Sequence, residues 1–514
     1  MSITMAIINT IFYTTIFIIT YYLTSHLLHK LRHLPPTPCF SVPILGHLHL
    51  LKQFPLHQTI ARYTTRYGPI LFLRFGSRPV LFVSSASAAE ECFTKNDVIF
   101  ANRPRLLAGK HLGYDYSSLA WVGYGDRLRT LRRIVAVEIF STKRMEKMAG
   151  IRRDEVKRMM ERLRGKCDGR NGEFAVVEMK GLFSDFAMNV MMRMISGKRY
   201  YGEHSEQGSD EAKRFQDIIS ETFQVYGMPY FGDFVPAMKL IGAGKAVEEK
   251  MIKLQEKRDA FMQDLINERR QKADEEGDKE KTLIDILLEL QRTEPEQFRD
   301  EDIRSLLLVL LAAGTDTTAR TIESAMSLML KNPTTLSKAQ SQIHSNLDPT
   351  RPLEESNLNN LPYLKCIIHE TLRMCPAAPL LTPHESSSEC FVGGYRVPRG
   401  TMLVVNVWAI QNDPEVWDQP EKFKPERFED VDMIKFAYKL IPFGSGRRTC
   451  PGDGLAIRTV GLVLGSLLQC FDWESIREKV PGEVAVSRGP MPLRAGCRPR
   501  EAMGKLKYGE PNEV

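Results

Sequence analysis

No Cys-x-x-Cys pair, no internal repeat and no Pro/Gly/Ser-rich linker between residues 60 and 500 occur in this 514-residue chain. Each absence removes a class of protein. Nine cysteines at scattered positions, an odd and unpatterned set, exclude a disulfide framework and a zinc site and fit reduced thiols in a cytosol-facing protein. Without a linker or a repeat, a chain that is 43% hydrophobic reads as one large domain with ample core. The net charge of +7 (70 Lys+Arg against 63 Asp+Glu) is too small and too dispersed for a nucleic-acid footprint. It suits a protein that works at a membrane surface and meets an acidic partner. A Gly-rich dinucleotide fingerprint in a strand–turn–helix setting is also missing, so no nicotinamide site of that kind is expected.

Charge itself is missing from one stretch. Between Ile3 and Leu23 no residue carries a formal charge, and about 20 apolar residues are what a membrane-spanning helix needs. A cleaved signal peptide would show a basic n-region, a shorter apolar core and a small-residue cleavage site, none of which is visible. The first fixed cations, Lys30 and Arg32, follow the span, so the positive-inside rule keeps the rest of the chain in the cytosol. The Leu34–Pro38 segment then supplies three prolines and a stiff, extended connection. The expected organisation is a single-pass anchor over 3–23, a basic and proline-rich linker over 24–58, and one domain over 59–505.

Near the other end stands Phe443-Gly-Ser-Gly-Arg-Arg-Thr-Cys-Pro-Gly452. It sets one cysteine, Cys450, among glycines and arginines with a proline directly behind it. A thiolate is a strongly donating iron ligand that, beneath a haem, favours O–O cleavage. Gly446 and Gly452 let backbone N–H groups approach the sulfur, and Arg448 can pair with a haem propionate. The competing reading is a buried structural thiol. The spacing F-x-x-G-x-R-x-C-x-G, with all five fixed positions present, resembles the haem loop of the cytochrome P-450 superfamily. That resemblance implies a mainly α fold with a minor β region, a cytochrome P-450 haem domain behind a transmembrane helix, and haem b (iron protoporphyrin IX) held by Cys450, Phe443, Gly446 and Arg448.

Three further motifs match the superfamily in its order. Ser305–Thr318 reads as a helix too apolar for a surface, and its Ala313-Gly-Thr-Asp-Thr-Thr318 segment resembles the oxygen-activation site. Gly314 and the Thr317 hydroxyl, bonded back to the i−4 carbonyl, are expected to open the helix locally. Asp316 and Thr317 are then the catalytic pair that relays protons to dioxygen; the bland reading is a helix with polar residues near a cap. Glu370 and Arg373 share a helix face and by themselves make only a surface pair. With Arg427 of Pro425-Glu-Arg-Phe428 they match the family's buried structural triad. Tyr124–Arg133 resembles the helix above the propionates, with Leu128 where the family usually has Trp. Arg132, one turn on, still reaches a propionate, without the indole N–H. Arg129 and Arg133 face elsewhere, towards an acidic redox partner or simply solvent. His384 and Arg103 match two more propionate contacts of the family, though a lone His is more often an ordinary surface or core residue.

The resemblance runs from Pro35 to Cys497. Pro376-Ala-Ala-Pro-Leu, Val392–Gly400 and Ala409-Ile-Gln-Asn-Asp-Pro414 are similar to plant microsomal members, nearest the plant family 81. Arg320 departs from that group, where the position is apolar; Asp316 and Glu323 both lie within its reach along the helix. Substrate-facing stretches by correspondence are Leu106–Trp121, Phe223–Phe234, Val309–Ala313, Ala377–Leu381 and the surroundings of Met491, rich in apolar side chains that suit a flat, small, apolar ligand. The resemblance implies a monooxygenase in the endoplasmic reticulum membrane, touching lipid. Electrons would come from NADPH-cytochrome P-450 reductase, and dioxygen would serve to hydroxylate or ring-close a plant phenolic such as an isoflavonoid or lignan. The alternatives are a terpenoid or alkaloid substrate, a reductase-independent haem-thiolate isomerase or dehydratase, and a non-catalytic haem-binding scaffold.

Overall fold

The structure, a computed structural model, describes residues 2–38, 41–52, 55–170, 172–202, 210–226, 230–240, 242, 244–272, 281–295, 298–476 and 492–506. Residues 227–229 and Met491, two expected substrate-facing places, lie outside them. The fold is mainly helical with small sheets.

Helix α1 (Ser2–Leu31) is the uncharged stretch. It continues past residue 23, because Thr24–Leu28 adds nothing that would break it. Its Ile7–Leu31 portion is long and apolar enough to cross a membrane, and none of it is buried against the rest of the chain. The expected linker is not all linker. Leu48 and Leu50 are buried against β1 (Ile70–Phe75) and β2 (Arg78–Val83). Near-continuous apolar runs and a tight turn at Gly76, whose φ of 57° suits glycine, make these two strands a largely buried antiparallel hairpin.

β2 runs parallel to β5 (Met402–Val405), which pairs antiparallel with β4 (His384–Glu385), giving the order β1-β2-β5-β4. A second antiparallel sheet joins β3 (Ala175–Glu178), β7 (Arg494–Pro499) and β6 (Phe471–Ser475).

The main core lies among helices. The longest, α6 (Asp300–Lys331), starts on three acidic residues, with the Arg299 N–H donating to Asp302 Oδ2 at 2.9 Å, and ends on Lys331 before Asn332-Pro333. It packs on α3 (Met179–Ser196), α5 (Lys245–Lys272) and α8 (Asp453–Cys470), with α4 (Asp210–Tyr226) lying along α5. α8 is also apolar enough to span a membrane, but most of it is buried inside the fold. Two further helices bear on the site, α2 (Asp126–Ile134) and α7 (Pro362–Met374).

Candidate active site

The Cys450 loop is wound by its own backbone. Cys450 N–H donates to Phe443 O at 2.8 Å and Thr449 N–H to Gly446 O at 3.0 Å. Gly446 holds a φ of 69°, and any Cβ there would collide with Asp97, so glycine is required twice over. Asp97 in turn accepts from the Arg447 N–H at 3.0 Å and pins the loop from outside. The half-buried Cys450 sulfur accepts from the Gly452 N–H. Burial pushes its pKa up, while that N–H and the nearby Arg132 pull it down. A bound cation would deprotonate it outright.

Three arginines gather beside the loop. Arg132 Nη1 donates to Thr449 O at 2.9 Å. Arg448 donates from Nε to Ala101 O at 2.9 Å, and from its two Nη atoms to Leu119 O and Val122 O. Arg103 donates to Ala120 O, to Thr382 O at 2.7 Å and to Pro383 O at 2.8 Å. All three guanidiniums use carbonyls only, and no carboxylate pairs with any of them among the described residues. Burial and mutual repulsion lower Arg103 to about 9 and Arg448 to about 10. His384, on β4, bonds Phe100 O through Nδ1 at 2.8 Å, and burial together with Arg103 pushes it down to about 3. Three half-buried positive charges with no counter-charge among the described residues repel one another. They fit a dianionic group such as the two propionates of a haem.

The second motif lies on α6, where Ala313 and Thr317 are exposed while the flanking residues Leu311, Thr315 and Thr318 are buried. Thr317 Oγ1 donates to Ala313 O at 2.7 Å. The helix nevertheless runs unbroken through Gly314. The expected local opening is absent, and the glycine has another use: a Cβ there would lie 2.6 Å from Met191 Sδ, so Gly314 lets α3 and α6 approach. Asp316 Oδ2 is 2.6 Å from Arg320 Nε, while Glu323 accepts from the Leu493 N–H at 3.0 Å. Arg320 therefore has chosen the acid of the motif.

Leu128 is buried with Val122 and Leu131, filling the place expected for an indole with plain packing. Arg129 is exposed, pairs with Asp126 and lies over the Tyr124 ring; Arg133 is exposed as well.

Glu370 is fully buried on α7. It accepts from Arg373 at 2.7 and 2.9 Å and from Arg427 Nε at 3.2 Å. One residue of this network escapes sequence reasoning. Gln411, fully buried, accepts from the Ile441 N–H at 3.0 Å, donates to Leu372 O and Arg373 O, and its own carbonyl takes Arg373 Nη1 at 2.8 Å. It ties the triad to the chain two residues before Phe443. No local pattern marks a glutamine that bridges segments so far apart. Next to the loop a groove of about 940 Å³ opens, lined by Phe443, Arg458, Lys365 and Arg153 among others.

Comparison with known proteins agrees with this geometry. The family model "Cytochrome P450" matches residues 35–487. Cytochrome P450 81Q32 of Catharanthus roseus is 47% identical over 92% of this chain and 93% of its own. An isoflavone 2'-hydroxylase of Glycyrrhiza echinata is 42% identical over 98% and 99%. The (+)-piperitol/(+)-sesamin synthase of Sesamum radiatum is 42% identical over 93% of each. Among solved structures, a zebrafish cytochrome P450 with abiraterone superposes with a TM-score of 0.70 at 24% identity, covering 87% of this chain and 100% of that one.

Proposed function

The chain belongs to the cytochrome P450 family, is similar to plant family 81 members, and is a haem monooxygenase by that membership; from that premise we propose what it does and with which residues. It hydroxylates, or oxidatively ring-closes, an apolar plant phenolic of isoflavonoid or lignan type, drawing electrons from an NADPH-dependent reductase. The single observation that carries the site is the cluster of Arg103, Arg132 and Arg448, half-buried beside the Cys450 loop and lacking any carboxylate partner among the described residues. In the proposed arrangement Cys450 ligates the iron of haem b, and Phe443 and Gly446 shape its loop. The three arginines bind the propionates. His384 bonds Phe100 O through Nδ1, so its Nε2 reaches a propionate as a donor only once the ring takes up a proton.

When bound, the haem supplies the oxidising chemistry that splits dioxygen. The rest falls to the chain. The small side chain of Ala313 leaves room beside Thr317. Asp316 and the Thr317 hydroxyl move protons in from solvent; the exposed side chains of Asp316 and Arg320 give that route its outer end. The buried leucines of α6 keep other water out. The isoflavone and sesamin/piperitol activities of the relatives named above support a phenolic substrate.

Full-length enzyme, reductase and NADPH incubated with isoflavones and lignans decide the matter by product mass. Gain of one oxygen, or loss of two hydrogens on ring closure, with NADPH consumed in proportion, is expected. Turnover of a hydroperoxide without reductase or NADPH would contradict the reading.

A further inference from the structure

Between Leu106 and Val122 the chain holds a conformation that its residues resist. Tyr114, Asp115 and Tyr116 have φ angles of 53°, 46° and 62°. Among the described residues they are the only consecutive non-glycine residues with positive φ. Side chains crowd the backbone in that left-handed region, and such a run persists only where its surroundings over-determine it. Here they do. Asp115 N–H donates to Lys110 O at 2.9 Å and Tyr116 N–H to Gly109 O at 3.0 Å. Gly109 and Gly113 lie so close to the Trp121 ring that a Cβ at either would collide with it. His111, ahead of the turn, meets Glu248 of α5 at 2.8 Å, and Arg127 Nε donates to Ser117 O at 3.1 Å. Within the turn itself the tie is Tyr114, whose hydroxyl donates to Asp259 of α5. The same carboxylate takes Gln255 at 3.0 Å and Arg304 of α6 at 3.4 Å. Burial, and then the charge of Asp259, push the Tyr114 pKa up, so the phenol keeps its proton and remains the donor.

The far end of this segment holds two arginines of the site. Ser117 N–H donates to Tyr114 O at 3.0 Å and Ser118 N–H to Gly113 O at 3.1 Å. Trp121 and Val122 N–H then donate to Ser118 O at 3.0 and 2.8 Å. The turn is thereby joined, bond by bond, to Leu119–Val122. There Leu119 O and Val122 O accept from Arg448, and Ala120 O accepts from Arg103. Neither guanidinium has all its N–H donors taken up by carbonyls. The loop therefore orients each fork and leaves donors for a carboxylate.

We propose that Tyr114 is a positioning residue for haem binding: its bond to Asp259 keeps the left-handed turn closed, and the turn keeps the Leu119–Val122 carbonyls where they set Arg103 and Arg448 for the propionates. The inference rests on the reading that these arginines take the propionates, and it adds what fixes them. Without an anion, repulsion between Arg103 and Arg448 and the strain of the turn both favour a looser loop. A bound propionate cancels the repulsion. Haem and the Tyr114–Asp259 bond therefore stabilise each other, and the coupling is reciprocal.

The test uses full-length, haem-loaded enzyme in membranes, without reductase. Haem loss is timed by transfer to excess apomyoglobin, and hydrogen exchange of the 109–118 amides is followed by mass spectrometry. Tyr114→Phe, which deletes one hydroxyl, should lose haem about fivefold or more faster than wild type. In the wild type those amides should exchange faster once haem is removed, and in Tyr114→Phe faster even with haem bound. Arg448→Lys keeps the charge but not the fork that bonds the loop carbonyls, so it should lose haem faster as well. In that background Tyr114→Phe should add less than about twofold, because its effect runs through Arg448. The same acceleration in both backgrounds would make Tyr114 merely structural and overturn the proposal. So would wild-type haem retention in Tyr114→Phe, or exchange of the 109–118 amides that ignores haem. Arg448→Lys separates the two ideas: retention of haem at the wild-type rate in that variant sinks the propionate reading itself, whereas fast loss there with normal retention in Tyr114→Phe sinks only the role of Tyr114.

Discussion

Arg320 and Asp316 stand one helical turn apart on the open face of α6, joined at 2.6 Å with both side chains well exposed. Exposed pairs of this kind contribute about 0–1 kcal/mol, so Arg320→Val should leave stability within about 0.5 kcal/mol of wild type. Its effect belongs to the proton route. The guanidinium occupies the carboxylate that would hand protons to Thr317, so Arg320→Val should lower the hydrogen peroxide released per NADPH. No change in that ratio would mean the pair is only surface chemistry. Thr317→Ala should act in the opposite sense, raising peroxide while the substrate-induced Soret shift stays near wild type. Tight coupling in Thr317→Ala would direct attention to protons brought by the substrate. At this scale the motif resemblance reached further than spacing: spacing gave Glu370 and Arg373 only as a surface pair, and the resemblance added Arg427 and the burial that the structure shows. Arg258, buried on α5, could not be singled out, because an arginine in an otherwise charged helix gives no sign that it turns inward.

Helix α6 carries the constraint at the next scale. Methyl addition at Gly314 runs into Met191, so Gly314→Ala should cost about 1–3 kcal/mol, and Met191→Ala in the same chain should restore part of it. Thermal unfolding of the two single variants and the double variant measures that coupling. The same helix begins at Asp300, which accepts from Arg270 Nη1 at 2.9 Å, Gln291 at 2.9 Å and Gln263 at 2.8 Å. These donors, Arg270 foremost, hold its pKa well below the usual carboxylate range. A depressed carboxylate gives stability that is present above about pH 4 and lost as pH falls further. Asp300→Asn should therefore cost about 1 kcal/mol at neutral pH, discounted for its partial exposure, and should be less acid-sensitive than wild type below about pH 4. Unfolding midpoints across that range check the sign.

α7 supplies the third case. Glu370→Gln leaves two guanidiniums without their charge partner and should cost about 3–5 kcal/mol, seen as lost haem per mole of protein. Gln411→Leu should loosen the loop ahead of Phe443 and lower haem content with a smaller loss of stability. The helices themselves were legible from apolar runs and caps. The use of Gly314 was not, since its reason lies on α3, more than a hundred residues earlier.

For the whole molecule, the uncharged N-terminal run gives the expectation of an anchor, and the structure draws it as one helix to Leu31, long and apolar enough to cross a membrane. The boundary of the packed body was less visible. Leu48 and Leu50 look like linker residues until the β1–β2 hairpin covers them, because burial by a distant strand leaves no local trace. With Lys30 and Arg32 behind the span, protease added to sealed microsomes should digest the globular part, and removing residues 2–31 should weaken membrane attachment. Protection of that part would reverse the proposed orientation.

The central claim is that Cys450 is the thiolate ligand of a catalytic haem, and the reduced carbon monoxide difference spectrum tests it most directly. Wild-type protein should show the red-shifted Soret band of a thiolate-ligated haem, and Cys450→His should lose that band and turnover while keeping some haem. A Cys450→Ala protein that still shows the thiolate band would contradict the account.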